Sequence, residues 1–278
     1  MKKCAIRCGV VGIFSFFFYT NASAQGGLLV TPGRIVFEGS KRIQELNLAN
    51  NGTDTATYQV SFIDIRMNEN GTFEQVTTPD SGQFFAKNNL RIFPRSITLA
   101  PNEAQSVKLQ LINSNQLPPA EYRSHIYFRA IPVEKPLGEQ LPVKDSSGIS
   151  VRLKPVFGIT IPVIVRVGGT TASMNISEVS LSMGEDKKYQ LNMTFNRMGN
   201  RSVYGDLKVN HISSTGKITL VGEINGIAVY TPTARRRLSI LLNEKPGINY
   251  KSGKLQIIYA SPADAKSSKI AETEYALF

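Results

Sequence analysis

Residues 149–165 read Ile-Ser-Val-Arg-Leu-Lys-Pro-Val-Phe-Gly-Ile-Thr-Ile-Pro-Val-Ile-Val. Every odd position is apolar: Ile149, Val151, Leu153, Pro155, Phe157, Ile159, Ile161, Val163 and Val165. The even positions open with Ser150, Arg152 and Lys154 and continue through Val156, Gly158, Thr160, Pro162 and Ile164. A period of two marks a β-strand with one dry face. Seventeen residues would extend on the order of 50 Å, against about 17–20 Å for a usual strand. A sandwich of ordinary size cannot cover so long an apolar face with its own second sheet. Pro155 and Pro162 cannot donate ladder hydrogen bonds, which places the strand at an edge at those points. A long apolar edge is an aggregation hazard, so retaining one implies a partner that covers it. The alternative is two consecutive core strands broken near Pro155 or Gly158.

The chain on either side of this stretch is also strand-like. Short alternating runs separated by turns at regular spacing indicate sandwiches or barrels. Before it come Arg34–Phe37, Glu45–Ala49, Tyr58–Ile65, Ser106–Ile112 and His125–Ile131. After it come Met174–Leu181, Tyr189–Arg197, Val203–Asn210, Lys217–Glu223, Arg237–Leu242 and Lys254–Ala260. Asn51-Gly52 and Asn70-Gly71 offer the positive-φ positions that tight turns need. Gly168-Gly169-Thr170-Thr171 separates the two series. The expected architecture is all-β, with two immunoglobulin-like sandwiches over 25–167 and 170–278. Pro132–Gly148, rich in proline and mixed charge, reads as a long loop, and a loop of that length in a compact domain is usually functional or mobile.

Residues 1–24 have the pattern of a signal peptide. Lys2, Lys3 and Arg7 precede the apolar run Val10–Tyr19, which is too short to span a bilayer as a helix, and Ala22-Ser23-Ala24 is a small-x-small cleavage pattern. The two cysteines, Cys4 and Cys8, both fall in that segment. The processed chain thus carries no thiol, no disulfide and no Cys-ligated metal. Cleavage removes three of 32 basic residues and none of 21 acidic ones, leaving a net charge of +8. That surplus suits an acidic partner, an anionic surface or a chain terminus. No nucleic-acid recognition motif accompanies it. The one basic run, Arg235-Arg236-Arg237, reads as a solvated strand end.

Catalytic constellations are hard to assemble. His125 and His211 fall in different predicted domains, and His125 within a strand reads as a satisfied structural histidine. HExxH, GxSxG, P-loop and dinucleotide-binding glycine patterns are absent from the sequence. No carboxylate spacing resembles a cation-binding loop, and no cofactor is expected. The chain reads as a non-enzymatic binding protein.

Three stretches resemble the periplasmic chaperones of chaperone–usher pilus assembly, the PapD-like superfamily. They are Arg34-Ile-Val-Phe-Glu-Gly39 continuing into Leu46-Asn-Leu-Ala-Asn-Asn-Gly52; Phe93-Pro-Arg-Ser-Ile-Thr-Leu-Ala-Pro-Asn-Glu-Ala-Gln-Ser-Val107; and Glu121-Tyr-Arg-Ser-His125 with Phe128 and Pro132, leading to the strand that ends at Ile161–Arg166. The second and third are similar to the archaic, Csu-type branch. The likeness covers the first domain; the second is matched in size and strand pattern.

The resemblance implies two sandwiches at an angle, with a cleft between them. It implies a periplasmic protein that binds pilin subunits one to one, lends them a strand and passes them to an outer-membrane usher, without nucleotide. Ile149, Val151, Leu153 and Phe157 would be the lent side chains. Arg34 matches the family's anchor for the subunit's C-terminal carboxylate, and Arg166 its interdomain linker arginine. The family's second anchor, a lysine, falls at Pro162, a departure that leaves Arg123 or Lys154 to supply the cation. The competing reading is an exported structural or adhesive sandwich such as a pilus subunit. The short start Gln25-Gly-Gly-Leu-Leu-Val and the lack of cysteine count against it. A carboxylate-dependent hydrolase on a sandwich scaffold has nothing positive to support it.

Overall fold

In the strands the apolar side chains recur at every second residue, and this pattern decides which faces meet. The computed structural model describes residues 27–132, 156–184, 187–262 and 268–278. Residues 1–24, Ile149, Val151, Leu153, Lys154 and Pro155 lie outside the described residues, as does most of the long-loop stretch.

The first sandwich is built from β1 (Leu28–Thr31), β2 (Ile35–Phe37), β3 (Ile43–Asn50), β4 (Ala56–Ile63), β5 (Ile65–Met67), β6 (Phe73–Gln75), β7 (Leu90–Phe93), β8 (Ser96–Leu99), β9 (Ala104–Leu111), β10 (Ala120–Ile131) and β11 (Gly158–Val167). One sheet has the order β1-β3-β9-β7 and the facing sheet β2-β11-β10-β4-β8, while β5 and β6 form a separate hairpin. Leu46, Leu48, Val107 and Leu109 from the first sheet meet Val60, Ile126, Phe128, Val163 and Val165 from the second in one core. Each such side chain, fully buried, contributes about 1.5–3 kcal/mol before ordering costs.

The second sandwich holds β12 (Ala172–Met183), β13 (Tyr189–Gly199), β14 (Val203–Ile212), β15 (Ile218–Val229), β16 (Arg235–Leu241), β17 (Lys254–Ala260) and β18 (Lys269–Ala276). Its sheets are β12-β13-β16 and β15-β14-β17-β18. They close over a second core in which the rings of Phe195 and Tyr259 lie 4.9 Å apart. The protein is therefore an all-β fold of two sandwiches.

Two local readings of the sequence are corrected. Asn51-Gly52 does not supply a positive φ. The turn is instead held by buried Asn50, whose Oδ1 accepts from the Gly52 amide at 2.9 Å while its Nδ2 donates to the carbonyls of Asp54 and Leu99 at 2.8 and 3.0 Å. This is an asparagine side chain standing in for backbone. The run Arg235–Arg237 starts a strand with its outer two residues exposed, as expected from the sequence, and only Arg236 departs from a solvated role. Arg235 pairs with Glu178 at 2.8 Å, half-buried Arg236 donates to the Ala228 carbonyl, and Arg237 pairs with Glu69 at 3.3 Å. Gly71, at φ +82°, leaves the room that the Arg236 guanidinium needs, since a β-carbon there would meet it at 2.8 Å.

The two sandwiches are joined by more than the chain. Met67, Ile164, Ala228 and Tyr230 form a small apolar cluster between them. The β5–β6 hairpin of the first grips the second: Thr233 Oγ1 donates to the Met67 carbonyl at 2.6 Å and the Arg237 amide to the Glu69 carbonyl at 2.7 Å. Glu121, fully buried, accepts from Arg166 Nε at 3.1 Å and from the Ser202 amide at 2.9 Å, so one carboxylate ties the end of β11 to the second sandwich. Arg166 also reaches Glu38 at 3.0 Å, and Glu38 lies 3.6 Å from Arg201. Removing one partner of a buried pair strands the other. We therefore expect Glu121→Ala to cost roughly 3 kcal/mol in urea unfolding, the low end for such a loss because Glu38 still holds Arg166. A change below about 0.5 kcal/mol would show that Glu121 does not join the sandwiches.

Candidate functional site

The site grows from β11. Along its odd positions burial changes steadily: Val165 and Val163 are 0% exposed, Ile161 5%, Ile159 half-buried, and Phe157 49%. The same apolar parity thus starts as core and leaves the sandwich as it runs back towards residue 156. On one side β11 pairs with β10 along its whole length, from Ala120↔Val167 to Arg129↔Gly158. The Ala130 amide still donates to the Phe157 carbonyl at 2.9 Å. On the other side β2 runs parallel and pairs only with Val163, Ile164 and Val165. From Gly158 to Pro162 that edge has no strand beside it among the described residues. Gly158 is required by close approach, because the Tyr127 ring occupies the place a β-carbon would take.

The long strand read from the sequence thus appears, among the described residues, as Gly158–Val167, with Val156 and Phe157 outside the regular strand. Its lower half, residues 149–155, is outside the described residues.

The charges lie on the opposite face of the sheet, on the elements beside β11. Ile35 pairs with Val163 and Val36 with Ile164, so Arg34, one residue earlier, falls beside Pro162. Pro162 in turn pairs with His125, and Ile164 with Arg123. Alternation then sets Arg34, Pro162, His125, Ile164 and Arg123 on one face, turned away from the first core and towards the second sandwich. Burial agrees, since Ile164 is 0% exposed yet belongs to the interdomain cluster.

Two tyrosines of the second sandwich meet these arginines. The Arg34 guanidinium lies 4.4 Å from the Tyr204 ring centre and 5.8 Å from that of Tyr230. The Arg123 guanidinium lies 4.3 Å from the same Tyr230 ring, within cation–π range. Arg123 Nη2 donates to the carbonyls of Ile65 at 3.2 Å and Thr231 at 3.3 Å, one from each sandwich. The Nη1 groups of Arg34 and Arg123 are both buried and without a hydrogen-bond partner among the described residues. Burial lowers the pKa of both; Tyr230 and the Glu121 carboxylate raise both, while Arg166 depresses that of Arg34 and Arg34 that of Arg123, which falls to about 10. Both remain charged at neutral pH. Two cations with spare, desolvated donors at one ring make a site that a carboxylate fits chemically.

Of the residues singled out from the sequence, Arg34 and Arg123 are brought to one ring. Arg166 is bonded into the Glu121 network but still repels Arg34, Phe157 lies exposed at the end of β11, and Ile149, Val151, Leu153 and Lys154 are outside the described residues. Sequence reasoning missed Tyr204, Tyr230 and the hub role of Glu121. Nothing distinguishes the two tyrosines among the ten in the chain; only the docking of the second sandwich selects them.

His125 is buried but not satisfied: its Nδ1 has no partner among the described residues, which corrects the sequence reading. Its ring packs 6.0 Å from Phe73 and 6.4 Å from Tyr230. Burial, and secondarily Arg123, push its pKa down from 6.5 to about 3. As pH falls, the unfolded chain therefore binds a proton before the folded one does. The stability tied to neutral His125 is complete above about pH 6.5 and is lost as pH drops towards 3. The loss approaches at most about 1.4 kcal/mol per pH unit. Urea unfolding at pH 7.5, 5.5 and 4.5 should show this slope in the wild type and a shallower one in His125→Phe. Equal slopes would refute a buried neutral imidazole.

No family model matches the chain, and no curated protein matches it in sequence. Among solved structures it is similar to the YadV chaperone, at 12% identity and a TM-score of 0.44 over 90% of this chain and 100% of that one. It is also similar to the Pseudomonas aeruginosa CupB2 chaperone, at 13% identity and a TM-score of 0.45 over 90% and 100%. A third likeness is to the CsuC–CsuE chaperone–tip adhesion subunit pre-assembly complex from archaic chaperone-usher Csu pili of Acinetobacter baumannii, at 11% identity and a TM-score of 0.43 over 88% and 98%.

Proposed function

We propose that this protein is a periplasmic chaperone of pilus assembly by the chaperone–usher route. It captures pilin subunits one to one, lends them the strand that their own sandwich lacks, and hands them to an outer-membrane usher. The lent segment is 149–157, with Ile149, Val151, Leu153 and Phe157 entering the subunit. The subunit's C-terminal carboxylate is held by Arg34 and Arg123, and Arg123 takes the part for which the family uses a lysine. The reading involves no nucleotide, cofactor or catalysis. The boundaries that go with it are a signal peptide over 1–24, a strand-lending domain over 25–167 and a second domain over 170–278.

The observation that carries this reading is the joint placement of an apolar edge and an anion site. The parity that is core at Val163 and Val165 emerges at Phe157. On the reverse face of the same sheet two guanidiniums each have a spare donor. A strand edge alone would bind any extended segment. The cations add a demand for a chain terminus, and so fix the register of what is bound.

Co-expression with a candidate pilin in the periplasm tests it. The wild type should yield a stable one-to-one complex. Arg34→Ala and Arg123→Ala should each weaken capture by thirtyfold or more, as expected when one member of a desolvated charged set is removed. Leu153→Asp should prevent capture while leaving the carboxylate site intact. Full capture by both arginine variants would remove the anchor, and full capture by Leu153→Asp would remove the strand assignment.

A further inference from the structure

Arg34 and Arg123 present a physical difficulty. They are like charges in a buried place, and each depresses or is depressed by another arginine nearby. Long flexible side chains in that position would be expected to splay apart. The first sandwich contributes the Ile65 carbonyl, which takes one donor of Arg123, and the buried carboxylate of Glu121, whose charge favours both guanidiniums but which hydrogen-bonds to neither among the described residues. What the two guanidiniums share is the Tyr230 ring, 4.3 Å from Arg123 and 5.8 Å from Arg34, with the Tyr204 ring 4.4 Å from Arg34. Tyr230 is itself held from both sides, packed with Ala228 of its own sandwich and with Met67 and Ile164 of the other. The carbonyl of the next residue, Thr231, accepts from Arg123.

We propose that Tyr230, assisted by Tyr204, is the positioning residue of the anion site: a ring of the second sandwich spaces the two guanidiniums of the first so that one carboxylate can engage both. The inference rests on the anion-site reading above. It adds that the site exists in full only while the sandwiches are docked. By linkage, a carboxylate that prefers the assembled site must favour docking by the same factor. The second sandwich then acts as part of the binding machinery. The ring face, and not the hydroxyl, does this work, since the quadrupole attracts the cations.

Two synthetic peptides test the idea, acetyl-Ser-Val-Ser-Val-Ser-Val-Ala as the free acid and as the C-terminal amide, titrated by calorimetry into the processed protein. Tyr230→Phe keeps the face and Tyr230→Leu removes it. We expect the wild type to prefer the acid at least tenfold, Tyr230→Phe to stay within twofold of that preference, and Tyr230→Leu to lose most of it. Docking is read separately from the distance distribution between spin labels on Thr53→Cys and Ser180→Cys, in a processed chain otherwise free of cysteine. The acid peptide should narrow that distribution in the wild type and not in Tyr230→Leu. A wild type that cannot tell acid from amide overturns the anion site itself. A wild type that can, with an equal preference in Tyr230→Leu, overturns only the positioning role. Equal losses in Tyr230→Phe and Tyr230→Leu, or no narrowing in the wild type, overturn it as well.

Discussion

Over Val163–Val165 the strand β11 is dry on both faces, and the rest of the molecule depends on that. Val163 and Val165 fill the first core, while Ile164 between them fills the cluster shared with the second sandwich. A period-two chain can do this only if register is fixed, because a slip of one residue would send the valines to the interface and the isoleucine inward. Register is fixed by β10 along one side and by three residues of β2 along the other. Once it is fixed, the positions of Arg34, Pro162, His125 and Arg123 follow without further choice. The exposed run towards Phe157 follows too, because the facing sheet β1-β3-β9-β7 stops covering the face there.

The charged groups at this junction are of two kinds, and magnitudes separate them. Arg166, Glu121 and Glu38 form a closed set in which each carboxylate has a cation and a fully buried acid also has a backbone donor. Such a set is worth little net stability over an apolar replacement, yet costs several kcal/mol when broken. It serves to hold one arrangement of the sandwiches. Arg34 and Arg123 form an open set. A desolvated cation–π contact is worth about 2 kcal/mol or somewhat more, and it leaves the two Nη1 hydrogen bonds, whose absence costs on the order of 1–3 kcal/mol each, still unmade. Two buried guanidinium donors left unmade at one place are where an incoming anion gains most.

Much of the fold was legible because alternation is a local property. The runs Tyr189–Arg197, Val203–Asn210 and Lys254–Ala260 are all strands, and Lys254–Ala260 has the same ends in both. Short or weakly alternating strands were invisible: Leu28–Thr31, Leu90–Phe93, Ser96–Leu99 and Phe73–Gln75 owe their extension to neighbours across the sheet. Lys269–Ala276 reads as polar because it pairs on one side only, with Lys254–Ala260. Arg34 and Arg123 were singled out in the sequence only through resemblance to a family. Tyr204 and Tyr230 were not, since nothing in a single sequence says which tyrosine of one sandwich will lie on which arginine of another. Arg236 was misread for the same reason, because its burial depends on a hairpin more than 160 residues away in the chain, at Gly71.

The proline at 162 and the tyrosines are best understood together. A lysine there would stand between Arg34 and His125, on a face now lined by aromatic rings. Its ammonium is a compact, strongly hydrated charge that gains little from a flat ring and loses much when dried. A guanidinium is planar, more weakly hydrated, and can lie on a tyrosine face while its edge still donates. Arg123, one pleat further along β10, brings such a group to Tyr230 without displacing Ile164 from the interdomain cluster. Proline at 162 leaves that space free and, lacking an N–H, ends the ladder with β2 at Val163. Arg34 then lies just beyond the last paired residue of β2, its side chain directed at the second sandwich. A site walled by tyrosine rings is thus better served by guanidiniums than by an ammonium, and Arg34 and Arg123 are the cations that meet those rings.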